Sequence, residues 1–124
     1  MRIARIAARI FLALLFIGLG ALSFKAPPPV PGMAGEFDDL LYRSHWGEIV
    51  GVAQIFLGIL LLINRYVPVA LIILAAFLYN SVAYHLTTSP QFLAVPLVCA
   101  ALGVFVGWPY RRAFAQLFTA RAEE

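Results

Sequence analysis

Few side chains in this sequence can do chemistry, and they gather in three places: Lys25, the segment His45 to Glu48, and the segment Asn80 to His85. Glu48 and His85 are the natural proton-transfer pair, because a carboxylate and an imidazole exchange protons near neutral pH when their surroundings tune them. Asn80 and Ser81 precede Tyr84 and His85 by four residues each, so on a helix all four share one arc. Glu48, Asn80, Tyr84, His85 and Lys25 therefore form a candidate polar pocket, with no catalytic role assigned to any of them. Each also has a purely structural reading. Glu48 suits the positive end of a helix dipole behind Ser44 as N-cap, Tyr84 and His85 suit an interface where their tips stay wet, and Asn80 and Gln54 suit hydrogen bonding between helices.

Other chemistries find little support. A haem between His45 and His85 would need His45 on a helix facing that haem, yet it stands at a loop edge, and the single cysteine, Cys99, excludes a CxxCH attachment motif. A metal set of His45, Glu48 and His85 lacks any paired ligand spacing such as HxxxH, so no metal is expected. No nucleophile triad, phosphate-binding glycine loop or dinucleotide fingerprint occurs. Cys99 cannot form an intrachain disulfide and reads as a packing residue.

The elements that must hold these groups are set by hydropathy. The chain has 124 residues, 63% hydrophobic and 12% charged, with a mean hydropathy of +0.91, whereas soluble domains carry roughly 25% charged residues. Four apolar blocks are each near the roughly 20 residues that cross a bilayer: about 6–24, 46–63, 66–86 and 92–108. None alternates with period two, so helices rather than barrel strands are expected. The fold class is all-α: an antiparallel integral-membrane four-helix bundle, one domain over 1–124, with one long outer loop between helices 1 and 2.

The first block, with Arg2, Arg5 and Arg9 ahead of an apolar run and Ala21-Leu22-Ser23 at its end, also has the outline of a cleaved signal peptide. A retained helix is the preferred reading, with Arg9 snorkelling and Gly18, Gly20 and Ala21 offering a small-residue surface. Pro27, Pro28, Pro29 and Pro31 break the chain after it. Residues 36–43 suit a short surface helix or a solvated turn. Asn64 is expected as a left-handed cap and Pro68 at the start of the next helix, making a helical hairpin. On the second helix Gly47, Gly51 and Gly58 form a narrow packing face, expected to bring it close against the third. The tail 110–124 suits an interfacial helix.

Arg2, Arg5, Arg9, Arg65, Arg111, Arg112 and Arg121 fall on one side of a four-span topology, and Lys25 and Arg43 on the other. The positive-inside rule then puts both termini in the cytoplasm of a cell inner membrane. The net charge of +3 is thereby a topology signal, and no nucleic-acid partner is expected. Trp46, Tyr66, Trp108 and Tyr110 stand at block ends, as interfacial aromatics do.

Gly20 with Lys25, Glu48, the run Gly58 to Ala70, Asn80 with His85, and Trp108 with Tyr110-Arg111 and Phe114 together resemble the DoxX-like small four-helix membrane proteins. That resemblance spans about nine-tenths of the chain and marks Glu48, Asn80 and His85 as the family-like polar positions. It implies kinship with the membrane subunits of a terminal quinol oxidase that also serve thiosulfate:quinone oxidoreduction, so quinone enters as a possible ligand. Three functions follow as expectations: an accessory or structural subunit of a membrane complex, a quinone-linked redox subunit with a polar pocket at the outer leaflet, and a small transporter. The third is disfavoured because the first helix has no Asp or Glu. Beyond the lipid bilayer, the partner is a membrane-complex protein or quinone.

Overall fold

The computed structural model describes residues 1–120, so Arg121 and the end of the expected interfacial tail lie outside the described residues. Among these there are six α-helices: α1 (Arg2–Leu22), α2 (Gly32–Arg43), α3 (Trp46–Ile63), α4 (Val67–Thr88), α5 (Ala94–Gly107) and α6 (Arg111–Ala115). No strand occurs among them. Four segments are long and apolar enough to cross a membrane: α1, α3, α4 and the run Pro90–Phe118, which is α5 extended by short 3₁₀ turns and α6. An 18-residue stretch of each has a mean hydropathy of 1.9 to 2.1.

Helix ends follow from local chemistry. At the end of α3, Asn64 adopts φ 58°, ψ 42°, Asn64 N–H donates to the Leu61 carbonyl (3.3 Å) and Arg65 N–H to that of Leu60 (3.1 Å). These are the two bonds of a Schellman motif, which satisfy carbonyls that a helix end leaves bare. Pro68 stands in the first turn of α4, where no amide hydrogen is required. His45 and Tyr66 also have positive φ, 64° and 54°, so both tight links around α3 use left-handed residues.

Several boundaries differ from expectation. α1 begins at Arg2 rather than near Ile6, and Arg5 in the added turn is held by the Phe105 carbonyl of α5. The helix before α3 begins at Gly32 rather than Glu36, with Gly32 itself at φ 83°, a conformation glycine adopts without steric cost. At the start of α3, His45 and not Ser44 is the N-cap. Ser44 Oγ instead accepts from the Trp46 amide (3.2 Å).

α1 packs on α3 and α5, and α4 packs on the same two, giving a ring of four around one core, while α2 lies against α3. Leu12, Leu57, Leu61, Leu74 and Val106, one or more from each of the four, are fully buried. Phe16 and Phe77 meet at 6.4 Å between ring centroids, tilted by 54°. The outward faces carry Phe11, Ile49, Phe56, Ile72 and Val98 in the exposed state, as surfaces solvated by lipid do.

The glycine face of α3 meets a different neighbour from the one expected. A Cβ on Gly51 would stand 2.7 Å from the Gly20 carbonyl oxygen, and one on Gly58 2.6 Å from Ile17 Cγ1 and 2.8 Å from the Ala13 oxygen. Both contacts are with α1. Gly47 instead faces Leu41 of α2, where a Cβ would stand 3.4 Å from the Leu41 carbonyl oxygen. The close approach of α3 to α4 through these glycines is therefore replaced by one between α3 and α1, because the partner's own small residues, Ala13 and Gly20, lie on α1.

Candidate functional site

The expected polar residues lie around the α2–α3 link and the last turns of α4, yet they pair locally rather than with one another. Glu48 Oε1 is 3.2 Å from His45 Nδ1, across one helical turn at the head of α3, with 33% of the Glu48 side chain and 75% of the His45 side chain exposed. His85 Nδ1 lies 2.7 Å from the Ser81 carbonyl oxygen. A carbonyl only accepts, so Nδ1 carries the proton and Nε2 of the neutral ring is left as an acceptor. Asn80 is exposed, and its Nδ2 donates to the Ala76 carbonyl at 2.8 Å. Lys25 is exposed at the end of the α1 segment with no side-chain bond among the described residues. No hydrogen bond joins Glu48 to His85 or to Lys25.

Tyr84 is where two elements converge. Its hydroxyl donates to Asp38 Oδ1 of α2 at 3.4 Å. Its ring lies 5.2 Å from that of Phe37 and meets the His85 ring edge-on, also at 5.2 Å and at 85°. Thr88 Oγ1 donates to the Tyr84 carbonyl (2.7 Å). Sequence reasoning missed Asp38 as a partner of Tyr84. The residues are 46 apart in the chain, and the only available signal was the aromatic-acidic pattern of the short helix that carries it.

A second feature is apolar. Between α4 and α5 runs a groove of about 840 Å³, lined by Leu78, Tyr79, Gly103, Val104, Trp108 and Arg111 among others. Arg111 closes one end, its guanidinium 5.2 Å above the Trp108 ring and its Nη1 donating to the Trp108 carbonyl at 2.9 Å. Tyr79, 77% exposed, stands beside Asn80 on the outward side of α4. Cys99 is buried in the core, consistent with packing. Among the described residues no three of His, Cys, Asp and Glu lie close enough to hold a metal ion.

Residues 4–88, the region of α1 to α4, match the family model for DoxX. The match ends before α5, so Trp108, Tyr110, Arg111 and Phe114 lie outside it. No curated protein and no solved structure matches the chain.

Proposed function

Because the chain belongs to the DoxX family and is a multi-pass membrane protein, we propose that it is an accessory subunit of the inner membrane which binds a partner's transmembrane helix along α4. The observation that carries this reading is Asn80. Eight residues before the end of α4, it lies about 12 Å along the helix from that end, on an exposed face. One amide hydrogen is used on Ala76; the side-chain oxygen and the other hydrogen have no partner among the described residues. In hydrocarbon such a group is costly, and a hydrogen bond to a neighbouring helix removes the cost. The α4–α5 groove next to it gives that helix apolar surface to pack on.

The seven-to-two division of Arg and Lys supports an antiparallel bundle with both termini cytoplasmic and the α1–α3 connection outside. The test is purification of the tagged protein in mild detergent after photo-crosslinking from position 79. One stoichiometric membrane protein should crosslink, and Asn80→Leu should abolish its recovery. Equal recovery with the variant removes the basis of the proposal.

A second reading rests on Tyr84. Its hydroxyl oxygen, whose proton goes to Asp38, and the free Nε2 acceptor of the adjoining His85 can both accept from the hydroxyls of a quinol headgroup at the outer surface, with Asp38 beside Tyr84 to take a proton. Extraction of the purified protein for quinones separates the two. Stoichiometric quinone, lost in Tyr84→Phe, favours this second reading.

A further inference from the structure

Arg2, Arg5 and Arg9, at spacings of three and four, lie along one stripe of α1 and line a cleft of about 200 Å³ closed by Asn64, Val106 and Tyr110 from three other parts of the chain. Two of the arginines are fixed there by backbone. Arg5 Nε donates to the Phe105 carbonyl at 3.3 Å, with its guanidinium 5.3 Å above the Phe105 ring. Arg9 Nη1 donates to the carbonyls of Leu61 and Leu62. Each guanidinium spends one edge on a carbonyl at the end of α3 or α5 and keeps further N–H groups, in the fork geometry that matches a phosphate. Among the described residues the only ion pairs are Arg43–Asp39 and His45–Glu48, both in or beside α2. Three like charges thus share one small cleft with no described carboxylate to offset them, an arrangement that repels itself until an anion enters.

We infer that this cleft binds the phosphate of an anionic phospholipid of the leaflet around the start of α1. A lipid is the occupant because the cleft stands at the end of the apolar spans, where the exposed Ile6 and Ile10 on α1 give the acyl chains a surface beside the charged head. The abundant anion at that depth is the lipid phosphate, and basic clefts between transmembrane helices on the cytoplasmic side select such heads. The carbonyl anchors pre-organise Arg5 and Arg9, so little side-chain freedom is lost on binding. This inference is independent of the partner surface on α4.

The test is native mass spectrometry of the full chain in detergent, titrated separately with phosphatidylglycerol, phosphatidylcholine and inorganic phosphate. Phosphatidylglycerol should be retained at collision energies that strip phosphatidylcholine, and inorganic phosphate should not displace it. Arg2→Gln, a fully surface change with no bond to lose, should weaken retention about fivefold, and Arg2→Gln with Arg5→Gln on the order of tenfold or more. Arg65→Gln with Arg112→Gln, outside the cleft, should leave it unchanged. Equal retention of the two lipids, or equal loss in the Arg65 and Arg112 variant, overturns the inference.

Discussion

Gly20 of α1 and Gly51 of α3 face each other so closely that each backbone occupies the place of the other's missing side chain: a Cβ on Gly20 would stand 2.5 Å from the Gly51 oxygen, and one on Gly51 2.7 Å from the Gly20 oxygen. Lipid supplies no hydrophobic drive between helices, so close van der Waals contact of this kind is what holds the pair.

Gly51→Leu should therefore destabilise the fold by about 1–3 kcal/mol through overpacking, and by more if the backbone cannot shift. Gly18→Leu is the control, because a Cβ at Gly18 meets nothing within 4 Å. Thermal unfolding in detergent should separate the two variants. Equal midpoints would mean that α1 and α3 do not meet at Gly51.

The left-handed cap at Asn64 makes a sharper backbone prediction. Asn64→Ala should cost about 1 kcal/mol, because alanine lacks the short polar side chain through which asparagine tolerates the left-handed region, whereas Asn64→Gly should be neutral or slightly stabilising. If alanine is tolerated as well as glycine, the α3–α4 link does not close as described.

Among the polar residues, coupling should follow the observed bonds. A double-mutant cycle of Tyr84→Phe with Asp38→Asn should show an interaction of about 0.5 kcal/mol or more. The cycle of Glu48→Gln with His85→Gln should be additive within about 0.5 kcal/mol, since each bonds within its own helix segment. The reverse pattern would restore the direct Glu48–His85 pair that the sequence suggested.

Topology is checked by reporter fusions. Fusions after Asn64 and after Glu124 should both report cytoplasm, and one after Pro29 the outside. A cytoplasmic signal after Pro29 would invert or break the proposed orientation.

Membrane class, span number and most helix ends were legible in the sequence because they depend on local quantities. Apolar length against bilayer thickness decides a span, and α3 occupies 46–63 as expected. Asn64 and Pro68 act through their own backbone chemistry, so their roles could be read without neighbours. Arg2, Arg5 and Arg9 were legible as charges, but the anchoring of Arg5 and Arg9 was not, because their partners are the carbonyls of Phe105, Leu61 and Leu62, far along the chain.

What the sequence by itself determined is an all-helical membrane fold with four candidate spans, since backbone satisfaction in lipid leaves only helices or a closed barrel, and blocks without period-two alternation do not suit a barrel. Only the tertiary structure decided which helix the glycines of α3 would meet, and which acid would reach Tyr84. A stripe of small residues says that something comes close without naming it. Glu48 and His85 show the same limit: periodicity and charge counting place both at one level, but a hydrogen bond needs the two side chains to point at each other. In the folded chain Glu48 turns to His45 and His85 to the Ser81 carbonyl, because a nearby partner on the same segment satisfies each at little cost in conformational freedom.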